Sequence, residues 1–239
     1  MDKELRVKNI LWFLAVLVTL LSVALLAWGF HNLGPMTLTS PGEIFIRQQA
    51  KDPKAYQAEF LAQAPQLKGA GFTAYSFHRD LKDPKTLITT LKCSHLGRGV
   101  AFVQSPQFTS ALDKSGARIP QVWYGIDQKP RVYGGDFSPK PAGIVIARNE
   151  VRDYAFWLKC FFEEDGGRHN HPGRHYKNSD YSIHYLLFTP AVAIVVHEAS
   201  DVSKAPPFMI SDPMTGEMQS TGVIGLDVWY GINLSEGTF

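Results

Sequence analysis

Apolar positions switch period several times along this chain, and each switch marks an element. Residues 43–49 (EIFIRQQ) read as a short strand, and Asp52-Pro53 then supplies a capping carboxylate followed by proline at the first helical position. Tyr56, Phe60 and Leu67 form a stripe at near-helical spacing. Residues 72–79 predict a strand, 80–84 a turn and 86–93 a further strand. Residues 95–115 predict a helix broken at Ser105-Pro106, because proline disfavours helical geometry in the residue before it. Residues 121–127, which carry VWYGI, close the series as a strand.

The same order then repeats. Residues 144–150 predict a strand, and Asp153 caps a helix whose Tyr154, Trp157, Leu158 and Phe161 share one face. Strands follow over 181–188 and 191–197, then a helix from about residue 201 broken by Pro206, Pro207 and Pro213. A second VWYGI strand covers 227–233. Shifted by 106 residues, the stretch 75–127 falls on 181–233 without a gap, with 16 of 53 positions identical. Upstream the shift is 101, so that Gly42 matches Gly143 and Arg47 matches Arg148. The second copy therefore carries five extra residues, and a duplication underlies the chain.

Each unit reads β-α-β-β-α-β, the ferredoxin-like order. In VWYGI, Val122, Tyr124 and Ile126 point to one face and Trp123 to the other, so both faces need cover. Packing two such sheets against each other would supply it within one chain. The expected organisation is an N-terminal segment 1–9, an apolar span 10–30, a linker 31–42 and repeat 1 over 43–127. A Pro/Gly-rich linker 128–142, repeat 2 over 143–233 and a C-terminal tail 234–239 complete it.

These features resemble the dimeric α+β-barrel superfamily, and within it the antibiotic-biosynthesis monooxygenase-like domains. The resemblance rests on Asp at the helix start, an aromatic at Tyr56 or Trp157, the Ser105-Pro106 break and the final VW strand. It covers about 43–127 and 143–233 and implies an α+β fold: two tandem repeats forming a pseudo-dimeric barrel within one chain, with no homodimer required. The superfamily includes cofactor-independent oxygenases of aromatic substrates and haem-handling enzymes. No subfamily's set of catalytic residues transfers to this sequence residue by residue.

Residues 10–30 contain no charged side chain, and about 20 apolar residues span a ~30 Å hydrocarbon core. Trp12 and Trp28 lie near its ends. The run is longer than a signal-peptide core, so the expectation is an uncleaved transmembrane anchor in the bilayer. Lys3, Arg6 and Lys8 precede it, which places 1–9 in the cytoplasm and the folded domain in the periplasm of an inner membrane.

Composition removes several alternatives. A net charge of +2 gives no field for nucleic acid. There is no G-x-S-x-G, glycine-rich phosphate loop, CxxC or haem-attachment motif. Cys93 and Cys160 are expected to be two buried thiols rather than a bridge.

Candidate chemistry is sparse. His169, His171 and His175, near Glu163–Asp165, could gather copper or zinc, although a solvated partner-facing loop fits the spacing better. His78 and His184 occupy equivalent strand positions, as acid or base in a pocket or as buried hydrogen-bonded histidines, the latter favoured. His197 raises the same choice. Trp123, Tyr124, Trp229 and Tyr230 read as core rather than as a stacking site. With no cofactor implied by a motif, the expectation leans away from an enzyme. It favours an accessory or scaffold subunit of an integral membrane complex, respiratory or photosynthetic. An anchored cofactor-independent monooxygenase or haem-handling enzyme is the alternative, and a metal-binding module on the His169–His175 loop the third.

Overall fold

The computed structural model describes residues 39–114, 116–129, 142–163, 181–186 and 192–239. The first repeat comprises β1 (Gly42–Gln49), α1 (Pro53–Leu61), α2 (Ala64–Gly69), β2 (Phe72–Asp80) and β3 (Thr86–Cys93). It continues with α3 (Leu96–Val103), α4 (Pro106–Lys114) and β4 (Arg118–Lys129). The second comprises β5 (Gly143–Val151), α5 (Tyr154–Glu163), β6 (Tyr181–Leu186) and β7 (Val192–Ala199). A short 3-10 turn at Val202–Lys204, α6 (Ala205–Met209), α7 (Asp212–Ser220) and β8 (Val223–Thr238) complete it.

Local signals set the helix ends. The Asp52 carboxylate accepts from the amides of Lys54 and Ala55, with Pro53 at the first helical position. Asp153 repeats the device by accepting from the Phe156 amide at 3.0 Å. Pro106 divides the long helix expected over 95–115 into α3 and α4, as the residue pattern requires.

The eight strands close into one antiparallel barrel in the order β1-β3-β2-β8-β5-β7-β6-β4. Each repeat contributes four neighbouring strands. The sheets meet edge to edge, β2 against β8 and β4 against β6, rather than as two open sheets stacked face to face. Every described strand has a hydrogen-bonded neighbour on both sides. The closing strand of each repeat thus pairs with the other repeat.

Strand alternation then sorts the side chains. Phe45, Ile88, Ile146, Ile194 and Trp229 are buried in one cluster with Trp123 packed against it. These residues fill the barrel at mid-height. On the outer face, Tyr56, Phe60, Phe77, Leu87 and Leu91 are buried between the first sheet and its helices. The rings of Phe60 and Phe77 meet edge to face at 5.2 Å. Tyr56 bonds Thr89 across that layer at 3.2 Å, and burial raises its pKa above the ordinary value.

The glycine of VWYGI has a packing reason. A Cβ on Gly42 would collide with the Gly125 carbonyl, and a Cβ on Gly143 would collide with the Gly231 carbonyl. Both repeats use paired glycines to bring their first and last strands into close approach.

Three expectations are revised. Residues 234–238, expected as a tail, extend β8, with Thr238 opposite Ala74. Their polar run shows little alternation because backbone pairing at the barrel rim holds them, not a buried face. The first closing strand likewise runs beyond 127 to Lys129. Cys93 and Cys160 are both free thiols, Cys93 buried and Cys160 only partly so. No helix among the described residues is long and apolar enough to cross a membrane, and the expected anchor at 10–30 lies outside the described residues.

Candidate functional site

One end of the barrel holds a cavity of about 350 Å³. It opens where β1, β2 and β5 begin and β3, β7 and β8 end, with Glu43, Ser76, Thr90, Lys92, Glu198 and Glu236 among its lining residues. Asp127, at the end of β4, also lines it. A relay of hydrogen bonds begins at its wall. Ser76 Oγ lies 2.7 Å from Thr90 Oγ1 and 2.8 Å from His78 Nε2, and His78 Nδ1 lies 2.7 Å from Asn233 Oδ1. An amide oxygen only accepts, so Nδ1 carries the imidazole proton when the ring is neutral. Nε2 is then an acceptor and takes the Ser76 hydroxyl proton, and Thr90 in turn donates to Ser76.

The fold dictates this placement. Ser76 and His78 are two residues apart on β2, hence on one face of the strand. Thr90 stands opposite Ser76 on β3, and Asn233 stands opposite His78 on β8. Asn233 comes from the second repeat, so the relay exists only because the two repeats share one sheet. Gly231 is part of the same construction: a Cβ there would lie 2.7 Å from His78 Cβ.

His78 is 3% exposed, and burial lowers its pKa to about 4 from 6.5. The Asn233 hydrogen bond and the charges of Glu43 and Glu236 oppose that shift. The ring is therefore neutral at physiological pH, able to accept a proton, with two carboxylates placed to stabilise the imidazolium that results.

His184 lies on β6, opposite Ile194 on one side and Asp127 on the other. Its backbone position is the repeat counterpart of His78, just as Asp127 corresponds to Asn233. The structure thus places His78 behind the cavity wall, joined to it through Ser76, and His184 at the equivalent register position. His169, His171 and His175 lie outside the described residues. No group of three or more His, Cys, Asp or Glu able to hold a metal occurs among the described residues.

His197 lines a second, much smaller void of about 30 Å³ between the second sheet and its helices. Trp123 and Trp229 stack on each other inside the barrel, and Tyr230 is buried in the cluster under α6, in line with the core reading. Burial pushes the Cys93 thiol up to about 12, so it is no nucleophile at neutral pH.

Sequence reasoning missed Ser76, Thr90 and Asn233. The signal was present: Ser-x-His recurs as Ser76-Phe-His78 and Ser182-Ile-His184, and an Asn or Asp ends each VWYGI.

Haem, which the superfamily resemblance raises, is not suited by the described residues of this cavity. Both ring nitrogens of His78 are engaged, by Ser76 and Asn233, which leaves neither for iron. The described lining also sets four carboxylates, Glu43, Asp127, Glu198 and Glu236, against the one ammonium of Lys92, a balance that does not suit the two propionates of a porphyrin.

No protein-family model matches the sequence, and the search of curated proteins gave no match. Solved structures do match. A protein assigned as a monooxygenase from Lactobacillus acidophilus aligns over 83% of this chain and 96% of its own, at 10% identity and a TM-score of 0.53. An anthrone oxidase-like protein aligns over 83% and 93%, at 7% identity and a TM-score of 0.57. A chlorite dismutase from Candidatus Nitrospira defluvii aligns over 86% and 95%, at 13% identity and a TM-score of 0.51. The chain has the α+β-barrel fold of these proteins.

Proposed function

We propose that this chain is an enzyme rather than a scaffold, an oxygenase-type catalyst acting on a neutral polycyclic aromatic with an acidic C–H or O–H. One observation carries the reading: the barrel-end cavity is bordered by a complete relay from Ser76 through His78 to Asn233. Its ~350 Å³ suits a small organic molecule. Two of the fold relatives, the protein assigned as a monooxygenase and the anthrone oxidase-like protein, point the same way by name, as analogy.

In this reading the substrate gives a proton to Ser76 Oγ while Ser76 passes its own to His78 Nε2. Asn233 Oδ1 holds the ring in the tautomer that can accept it. Glu43 and Glu236 stabilise the imidazolium, and Lys92, at the cavity wall, offsets the charge left on the substrate. The electron-rich anion then reduces dioxygen. For an acidic methylene the balance is CH2 plus O2 giving C=O plus H2O, with the substrate supplying all four electrons. The aromatic layer of Phe45, Trp229 and the partly buried Trp123 packs further along the barrel interior.

The domain would be tethered by residues 10–30 to a membrane. Binding is the direct test of the site. Anthrone and hydroxynaphthalenes should raise the melting temperature of the wild type, and Ala74→Phe, which fills the cavity from its wall, should abolish that rise. Equal stabilisation of both proteins would place the ligand elsewhere and overturn the proposal.

A further inference from the structure

The internal repeat provides its own control for the outer face of the second sheet. In the first repeat, Leu91, Val103, Phe108 and Leu112 are buried hydrocarbon between sheet and helices. At the 106-residue shift their counterparts are His197, Met209, Met214 and Met218. Four adjacent hydrocarbon positions in one copy have become an imidazole and three thioethers in the other. All four line the same void of about 30 Å³, whose wall also includes Trp157, Asn149, Thr221 and Glu217.

Methionine alone would be unremarkable there, since its flexible side chain fills irregular gaps in cores. Gap filling does not account for an imidazole where the other repeat has a fully buried leucine. Nor does it account for the void: about 30 Å³ is one water molecule's share of liquid volume, room for one small ion and too little for an organic ligand. Thioether sulfur and imidazole nitrogen are ligands that favour soft, low-charge metal ions, and neutral donors of this kind select Cu(I) over hard divalent cations. Met209 is 5% exposed, and the partly buried Met214 and Met218 pack against its cluster.

We propose that His197, Met209, Met214 and Met218 form a Cu(I)-binding site in the second repeat. The site is separate from the barrel-end cavity, lying on the other face of the sheet, and does not depend on the function assigned to that cavity. β7 supplies the imidazole, α6 supplies Met209, and α7 supplies Met214 and Met218 four residues apart on one helical face.

The test is a competition titration of the full chain with the Cu(I)–bicinchoninate complex under anaerobic ascorbate, in a Cys160→Ser background that removes the more accessible thiol. One equivalent of Cu(I) should transfer to the protein. Variants that restore the first repeat's own side chains, Met214→Phe with Met218→Leu, and separately His197→Leu, keep the volume the fold already accommodates in the first repeat. Each should lower the apparent affinity by about 100-fold or more, beyond the 10–100-fold that loss of a supporting group costs. A triple His169→Ala, His171→Ala, His175→Ala variant should still take up that equivalent. Absence of transfer to the starting protein would overturn the proposal, as would undiminished binding by the methionine and histidine variants. Circular dichroism of each variant distinguishes lost ligands from lost fold, and Met218→Leu alone serves where the double variant fails to fold.

Discussion

Trp123 and Trp229 are 106 residues apart and stack with ring centroids at 3.5 Å and planes 19° apart. They are the same residue of the two VWYGI segments, so the repeated pentapeptide meets itself inside the barrel. Arg47 of the first repeat lies over Trp229 of the second at 5.8 Å. Arg148 of the second lies over Trp123 of the first at 6.0 Å. The contacts cross between repeats in both directions, which makes this pair the seam of the pseudo-dimer. Trp229→Ala is expected to cost about 3–5 kcal/mol in urea unfolding. A double-mutant cycle with Trp123→Ala should recover a coupling of about 0.5–1.5 kcal/mol for the stacked rings. Strict additivity would mean that the stack contributes nothing beyond burial.

Acid should act on the fold through His78. Its folded pKa is about 4 against 6.5 for an ordinary histidine, so between those values the unfolded chain binds more protons. Stability from this group is complete above pH ~6.5 and is lost as pH falls toward 4, on the order of 3 kcal/mol in all. Subtracting the urea stability of His78→Gln from that of the wild type at each pH isolates this term from the carboxylates, and the difference should shrink as pH falls across that window. Asn233→Asp should move the window upward, since a carboxylate beside the ring favours the imidazolium. A pH-independent difference would show that His78 is not buried neutral.

Two glycines should respond in opposite ways to alanine. At Gly231 the new Cβ would lie 2.7 Å from His78 Cβ, so Gly231→Ala must displace the relay strand. At Gly216, exposed in α7, a Cβ meets nothing within 4 Å. Gly216→Ala should raise stability by up to about 1 kcal/mol through helix propensity, while Gly231→Ala should lower both stability and activity. Thermal melts of the two variants side by side check this.

The element order and the duplication were legible because they rest on local signals: Asp52-Pro53, Ser105-Pro106 and the alternation within each strand all read through to the structure. The register of closure was not. Nothing local says that Asn233 pairs with His78, because that contact joins residues 155 apart through backbone pairing of β8 with β2. The polar end of β8 looked like a tail for the same reason. His78 itself is visible in the sequence, where a buried histidine bonded to backbone or water is the favoured reading; it is buried, but its partners are the side chains of Ser76 and Asn233, which the sequence could not assemble around it. The helix-side layer of the second repeat looked like ordinary core until its residues were set against those of the first.

The central claim is that the Ser76–His78 relay takes a proton from a substrate held in the barrel end. Oxygen consumption with anthrone tests it most directly, measured at pH 7 for the wild type, Ser76→Ala and His78→Gln. The wild type should consume one O2 per anthrone. Both variants should be slower by about 10²–10⁴-fold while still binding the ligand, the range expected for loss of a general base. Uptake no faster than the uncatalysed reaction, or variants as fast as the wild type, would contradict the account.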